Sequence, residues 1–490
     1  MLKLNLSRAI AAALSAAFIA GAGAAEAPQP GLAVPERFVS VPADATLAAN
    51  SEMEFWRSFG DAQLTALVER ALHENHDLRI ALAHFESANA LLRGARLDRF
   101  PIVTAQANAS NARLSADQAA LAGGERTSKS YDVGAQLSWE LDLFGRVRSS
   151  VRAQRAETDA TASDLQAMQV AIVAEVARDY FQLRGLQEQL RVAQENASSQ
   201  SETLRLVEAG LDAGRGTDFD TARARAQLSS TSARVPALQA QIAASMHHLA
   251  VLTGQVPEAL DADLDKSAPL PALPASVDPG TPGELLLRRP DVAAAQARLA
   301  AATSRIGVAK ADLFPRFTLG GLLGTQAVHN SDLFAHDSDT HLVALGIDWS
   351  FLDFGRVRAR LAAAHANADG ELAAYEQVVL RALEETENAL VRFDKARSED
   401  EQLARAAVDS AQAAQLARTR YEAGAIGLFE VLDAERSNLQ AQDAAAQSRS
   451  RGFSDLIAVY QALAGGWPAQ VPQSKRIAEY RARLIATPEL

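Results

Sequence analysis

The sequence predicts a mixed α and β chain made of two copies of one unit, assembling as a trimer into a twelve-stranded membrane β-barrel continuous with a long α-helical barrel. Three observations predict this. First, one segment occurs twice. Trp139 to Arg148 reads WELDLFGRVR, and Trp349 to Arg358 reads WSFLDFGRVR. The copies share the Trp, Phe-Gly-Arg-Val-Arg and an aspartate within two residues of the Phe, and a repeat this long sets the architecture before any local reading. Second, each copy closes a run that alternates apolar and polar residues, the period of a strand. Third, each copy opens a long run without Pro. The first extends from Gly145 to about Gly210; at ~1.5 Å per residue it is on the order of 100 Å long. A helix of that length belongs in a coiled coil or a helical barrel.

Composition agrees. The chain has 490 residues, few aromatics (6%) and abundant Ala, which favours long helices packed through small side chains. A net charge of −12 argues against nucleic acid as a partner, because phosphate binding needs a basic surface. There is no Cys, hence no disulfide, thiolate metal site or Cys nucleophile.

Residues 1–25 read as an export signal. Lys3 and Arg8 precede a small apolar run, Ala9 to Ala22, with cleavage sites at Ala22-Gly23-Ala24 and Gly23-Ala24-Ala25. The run falls short of the ~20 residues of a spanning helix. Residues 26–60 form an extended leader rich in Pro and Ala.

The first copy of the unit occupies 61–254. Asp61 caps a helix whose apolar stripe is Leu64, Leu67, Val68, Ala71 and Leu72, continuing through Leu78, Leu82, Phe85 and Leu92 to Leu97. His73-Glu74-Asn75-His76 is one residue short of HExxH and reads as a solvated face. Phe100-Pro101 ends the helix and opens a hairpin over about 101–143. In its second strand Val133, Ala135, Leu137, Trp139, Leu141 and Leu143 share one face, and Asp132, Gln136, Ser138, Glu140 and Asp142 the other. One apolar and one polar face suit a lipid-facing barrel strand, and also an ordinary half-buried hairpin. After the long helix, Gly214, Gly216 and Asp218 form a turn, and a return helix runs from about Phe219 to Thr253 with a kink expected at Pro236. His247-His248 points in two directions and is a poor ligand pair.

Residues 255–283 form a Pro-rich linker. The unit then repeats over 284–465: a helix from Leu285 with Pro290 in its first turn, a stop at Phe314-Pro315, a hairpin over about 315–353 and a second long helix to about Glu422. In that hairpin Phe317, Leu319, Gly321 and Leu323 alternate, as do Val343, Leu345, Ile347, Trp349 and Phe351. A return helix runs from about Phe429 to Leu463, and residues 466–490 are a polar tail.

Four strands per chain cannot close a membrane barrel, whose smallest members have about eight, and an open edge is forbidden in lipid. The chain must oligomerise, and three copies supply twelve strands.

Several stretches resemble a known family. They are Glu284-Leu285-Leu286-Leu287-Arg288-Arg289-Pro290-Asp291, Ile306-Gly307-Val308-Ala309-Lys310 through Phe314-Pro315, the two Phe-Gly-Arg-Val-Arg copies, and Arg420-Tyr421-Glu422-Ala423-Gly424 with Val431-Leu432-Asp433-Ala434-Glu435-Arg436. From Phe55 to Gly465 the chain resembles the TolC-type outer-membrane efflux proteins, in the NodT-like branch that works with resistance-nodulation-division pumps. The resemblance implies a homotrimeric duct in the cell outer membrane, in contact with its lipid and extending into the periplasm. It would receive drugs or other small molecules from a periplasmic adaptor (membrane fusion) protein and an inner-membrane resistance-nodulation-division pump. It implies a periplasmic tip that closes at rest, with acidic residues around the aperture: by position Asp433 and Glu430 in the second half, and Asp218 and Asp220 in the first, where Arg223 stands in place of Asp433. Tyr421 matches an aromatic that ties the closed helices together. The same acids also suit a helix start, where the dipole favours negative charge; three-fold symmetry would make one Asp a ring of three that attracts cations.

Many members of this branch carry a lipidated Cys after the signal. With no Cys here, no lipid anchor is expected and the barrel alone holds the protein. No nucleophile elbow, phosphate loop or metal-ligand cluster is legible, so neither enzymatic activity nor a cofactor is expected, and transport energy must come from the pump. Two other readings remain: an exit duct for type I protein secretion, and a soluble coiled-coil scaffold. The similarity from Leu285 to Pro315 favours small-molecule efflux.

Overall fold

A computed structural model of the chain describes residues 35–39, 54–117 and 126–464. The expected signal, most of the leader and the polar tail lie outside the described residues. The structure is mostly helical with one four-stranded sheet. No described helix is long and apolar enough to cross a membrane. The chain divides into two compact units.

One unit, formed by Phe85–Thr161 and Ala294–Glu376, holds the sheet. Its strands are β1 (Ile102–Arg113), β2 (Thr127–Leu141), β3 (Arg316–Ala327) and β4 (Asp339–Asp348), all antiparallel in the order β1-β2-β3-β4. The register places Val103 opposite Leu137, Leu137 opposite Gly321, and Gly321 opposite Val343. Side chains alternate between faces along a strand, so Val133, Ala135, Leu137, Trp139, Phe317, Leu319, Leu323, Val343, Leu345 and Ile347 share one apolar face. That face is uncovered: Leu323 is 71% and Val343 78% exposed.

Both strand runs stop earlier than their alternation. Leu143 lies beyond the end of β2, and Trp349 and Phe351 beyond the end of β4. The physical reason is the partner strand. Asp348 pairs with Arg316, and the residue before Arg316 is Pro315, which has no N–H to extend the ladder. The two Trp side chains turn to the preceding helix ends: Trp139 Nε1 donates to the Arg99 carbonyl (3.0 Å) and Trp349 Nε1 to the Leu313 carbonyl (3.2 Å). Each acceptor stands two residues before the proline that opens a strand.

The two Phe-Gly-Arg-Val-Arg copies start their helices differently. Helix α3 (Arg146–Asp212) follows Gly145, whose φ is +80°. Asp142 caps it, accepting from Val147 N (3.0 Å) and Arg148 N (2.9 Å). Arg146 forks onto Glu140, and Phe144 stacks on Phe314 at 4.6 Å. In the second copy the aspartate is one position nearer the Phe, and α8 (Phe354–Glu422) starts directly after Asp353. Labels α1, α2, α4 to α7 and α9 are used for Ala62–Glu74, His76–Leu97, Asp218–Ser232, Arg234–Leu252, Pro282–Arg288, Pro290–Ala311 and Leu428–Ala462.

The other unit, within Leu32–His84, Ala162–Ala293 and Gln377–Leu490, holds the largest apolar core. The stripe Leu64, Leu67, Val68, Ala71 and Leu72 packs there with Val173, Phe181, Leu249, Phe453 and Leu456. Phe181 stacks on Phe453 at 4.4 Å, and Phe55 on Tyr460 at 4.6 Å. Asp61 caps α1 through Gln63 N and Leu64 N. Its other oxygen accepts the Tyr180 hydroxyl proton. Burial first, and that bond second, push the Tyr180 hydroxyl up to about 12.

Two expected continuous segments are interrupted, and the return helix, with its kink expected at Pro236, divides just before that residue. The helix expected from Asp61 to Leu97 breaks at Asn75, which is buried and extended. Its Oδ1 caps α2, accepting from Asp77 N (2.8 Å) and Leu78 N (3.1 Å), and its Nδ2 donates to the Leu252 carbonyl (3.0 Å). Asn75→Ala is expected to cost about 1–2 kcal/mol, the worth of an N-cap; thermal unfolding of the purified protein checks it. The return helix is divided at Ala233, three residues before Pro236, where the missing proline N–H leaves Ser232 without its i+4 donor. The helix expected from Leu285 is α6 and α7, separated by Arg289, because a residue before proline avoids helical geometry. Thr281 and Glu284 form a capping box at the start of α6. The Pro-rich linker is docked rather than loose: Leu260 and Leu264 are buried in the core, and Leu270, Leu273 and Val277 pack against it.

Arg288 and Arg289 hold the end of α9. Arg288 donates to the Leu463 carbonyl (3.0 Å) and Arg289 to the Ala462 carbonyl (3.0 Å). Arg289 also forks onto Asp291 (3.0 and 2.7 Å) and reaches Glu385 (2.8 Å). Burial alone would lower the Arg289 guanidinium, but the two carboxylates hold it above its ordinary range.

Candidate functional site

The expected aperture residues lie at two helix turns within the second unit. In the first, α3 ends at Asp212 and Gly214 adopts φ +71°. Gly214 N donates to the Leu211 carbonyl (2.9 Å) and Arg215 N to the Gly210 carbonyl (2.8 Å). In the second, α8 ends at Glu422 and Gly424 adopts φ +73°. Gly424 N donates to the Tyr421 carbonyl and Ala425 N to the Arg420 carbonyl, both at 2.8 Å. Both turns close the helix with the same pair of bonds around a left-handed glycine, a conformation side chains resist.

The starts of the returning helices differ. Thr217 caps α4: its Oγ1 accepts from Asp220 N (3.2 Å) and donates to Asp220 Oδ2 (2.6 Å). Gly427, at the equivalent place, has no capping side chain for α9. Asp218 and Asp220 stand in the first turn of α4, and Glu430 in the first turn of α9. All three therefore sit where the helix dipole favours negative charge. Asp218 and Glu430 are exposed, whereas Asp220 is half-buried against Thr217. Asp433 is exposed and pairs with Arg436 on its own helix at 2.6 Å, so part of its charge is offset locally.

The two turns touch through Arg223. Its guanidinium lies 5.6 Å from the Phe219 ring centre and 5.0 Å from that of Phe429. Each such contact is worth about 0.5–1 kcal/mol at an exposed site. Arg223 thus bridges the starts of α4 and α9 instead of repeating the acid found at 433. Tyr421 is half-buried against an apolar cluster of Val207, Ala224, Leu428 and Leu432, with Leu204. It joins the end of α8 to α3, α4 and α9.

A buried polar group beside this cluster carries no signal in local sequence. Glu435 is 4% exposed. Its Oε1 accepts from Thr203 Oγ1 (2.6 Å) and from Arg418 Nη2 (2.8 Å). Arg418 also donates to the Ser199 carbonyl (3.2 Å) and to the Ser199 hydroxyl. Arg418 on α8 and Glu435 on α9 are far apart in sequence from Ser199 and Thr203 on α3, so only the folded chain unites them. Glu435 falls within one of the stretches that carry the family resemblance, but its role was not legible from position.

Among the described residues no group of three His, Cys, Asp or Glu is arranged to hold a metal ion. His248 instead lies 3.2 Å from Asp179 and 3.5 Å from Glu175, linking α5 to α3.

Comparison with known proteins places the chain among outer membrane efflux proteins. The model of the outer membrane efflux protein family matches residues 67–255 and 281–465. The pyoverdine export outer membrane protein OpmQ of Pseudomonas putida is 34% identical over 91% of this chain and 94% of its own length. The toluene efflux pump outer membrane protein TtgI of Pseudomonas putida is 33% identical over 84% of this chain and 86% of its own. The solved structure of the outer-membrane channel OprN is 40% identical, with a TM-score of 0.84 over 90% of this chain and 99% of that one.

Proposed function

Because this chain belongs to the outer membrane efflux protein family and is an efflux duct of the outer membrane, we propose that three copies close its sheet into one twelve-stranded barrel that passively conducts small molecules outward. The observation that carries this reading is the sheet itself. It has one continuous apolar face, and β1 and β4 each have an edge unpaired within the chain. An open edge in lipid costs several kcal/mol per unsatisfied group. Pairing β4 of one copy with β1 of the next removes every edge at once, and the long helices α3 and α8 supply the walls of a helical barrel beneath.

The chain is an internal repeat in this reading. In support, the Trp139 and Trp349 bonds, the two glycine turns and the two family-model segments recur at corresponding places. The duct works with a periplasmic adaptor and an inner-membrane pump, which supply selection and energy. Relatives named for pyoverdine and for toluene support a duct that imposes little chemical choice of its own.

The duct closes at the tip formed by the two helix turns, with Glu430 and Asp433 nearest the axis, Asp218 and Asp220 beside them, and Tyr421 tying the closed helices. Single-channel conductance in a planar bilayer tests this. Wild-type protein is expected to conduct weakly, and a Glu430→Ala, Asp433→Ala variant several-fold more. Equal, large conductance in both would keep the channel and reject these residues as its constriction. Absence of conductance from inserted protein would reject the duct.

A further inference from the structure

The two ends of the sheet differ in charge. Asp332, Asp337 and Asp339 are exposed where β3 turns into β4. At the opposite end, where strands meet helices, Arg96, Arg99, Arg148, Arg356 and Arg358 are exposed. Much of the positive charge there is already paired. Arg356 lies 3.3 Å from Asp353, and Arg316 lies 2.5 Å from Asp312. One place is not balanced in this way.

A shallow cleft of about 310 Å³ opens beside Trp139, lined by Arg99, Trp139, Glu140, Asp142 and Arg148. Its two acids are engaged. Glu140 accepts from Arg146 through both oxygens (2.7 and 2.5 Å). Asp142 caps α3 and accepts from Arg148 Nε (3.1 Å), while Arg148 Nη2 donates to the Asp142 carbonyl (3.2 Å). Arg148 is thereby fixed at the rim. Arg99 has no ion-pair partner among the described residues; Asp98 precedes it but does not line the cleft. The lining with Arg146 therefore carries one net positive charge, beside an indole that belongs to the apolar face.

We propose that this cleft binds the phosphodiester of an anionic glycerophospholipid, one per chain, with the acyl chains lying along the apolar face of the sheet. The proposal rests on the reading of that face as lipid-facing. A guanidinium offers a planar fork that matches two phosphate oxygens. An indole suits the boundary between acyl chains and headgroups. A zwitterionic headgroup would bring an ammonium as well, and the two acids that could receive it are already taken. The charge of the cleft therefore selects an anionic headgroup.

The site occurs in one copy of the repeat. Phe100-Pro101 corresponds to Phe314-Pro315, so Leu313 stands where the first copy has Arg99. Trp349 donates to the Leu313 carbonyl as Trp139 does to that of Arg99, but the second cation is missing. Arg358, the counterpart of Arg148, is thus the internal control.

Lipids brominated near the headgroup test this, because bromine quenches an indole that it touches. Full-length protein is reconstituted in phosphatidylcholine vesicles containing brominated phosphatidylcholine or brominated phosphatidylglycerol. The Trp139 signal is the difference from the same protein carrying Trp139→Phe. Phosphatidylglycerol is expected to win the position beside Trp139 with a preference of about fivefold, the worth of one basic charge at an anionic headgroup. An Arg99→Gln, Arg148→Gln variant is expected to bring the preference close to one, and Arg358→Gln to leave it unchanged. If the double variant fails to fold, Arg99→Gln decides alone, since it breaks no ion pair. Equal quenching by both lipids in wild type, or a preference that survives the double variant, overturns the site and leaves the face in lipid. Absence of quenching by either lipid overturns the lipid-facing reading and the site with it.

Discussion

Gly324→Val is expected to abolish assembly of the sheet, while Gly320→Val, four residues away on the same face of the strand, is expected to be tolerated. Gly324 lies opposite Gly134 in the β2–β3 ladder. A Cβ at 324 would stand 2.4 Å from the Val133 carbonyl oxygen and 2.7 Å from the Gly134 Cα. A Cβ at 134 would meet the Leu323 carbonyl oxygen at 2.9 Å. These obstacles are backbone and cannot rotate away, so the cost should exceed the about 1–3 kcal/mol usual for overpacking. At 320 the nearest atom to a Cβ is the Ala344 carbonyl oxygen, at an ordinary 3.7 Å. The amount of heat-modifiable oligomer in outer-membrane fractions measures both variants. Equal yields would mean that β2 and β3 do not approach as closely as the register requires.

The second large effect is expected at Arg289. Its side chain is 9% exposed and holds Asp291, Glu385 and the Ala462 carbonyl together. Breaking a buried pair by removing one partner costs about 3–5 kcal/mol. Asp291 and Glu385 are 41% and 57% exposed, so water recovers part of their loss, and Arg289→Ala is expected near the lower end, about 3 kcal/mol. Arg289→Lys should recover little, because an ammonium cannot fork onto Asp291 while reaching a carbonyl. Glu385→Gln should cost under about 1 kcal/mol, as exposed pairs do. Thermal unfolding of the three variants ranks them. A ranking with Glu385→Gln as severe as Arg289→Ala would mean that the exposed carboxylate, not the buried guanidinium, carries the clamp.

Side-chain period was legible in the sequence, and the ends of elements were not. The stripe of α1 and the apolar face of the sheet follow from spacing alone, because each reflects which residues share a face. Where an element stops depends on its neighbour. Strand β4 ends at Asp348 since β3 offers no N–H beyond Arg316, although Trp349 and Phe351 keep the alternation. The break at Asn75 was present as a letter but hidden by an apolar stripe that runs on past it. Arg289 before Pro290 was the clearer signal, a residue sterically kept from helix. In the candidate site the turns could be placed from the repeat and the acids from the family resemblance, while the buried Arg418–Glu435 pair and the bridging of Phe219 and Phe429 by Arg223 depend on contacts between helices distant in sequence.

The stacking of Phe55 on Tyr460 also bears on how the protein is made. The largest core joins α1, near one end of the chain, to α9, near the other. Contacts of such sequence separation form slowly, because a long loop must close before they contribute. During synthesis and translocation the early helices emerge with Leu64, Val68 and Phe181 uncovered, and their partners Phe453, Leu456 and Tyr460 arrive last. The first half therefore has no complete core of its own to settle into. A chain stalled before α9 should remain open to proteases and to aggregation, and dependence on holding chaperones follows from the path of the chain itself.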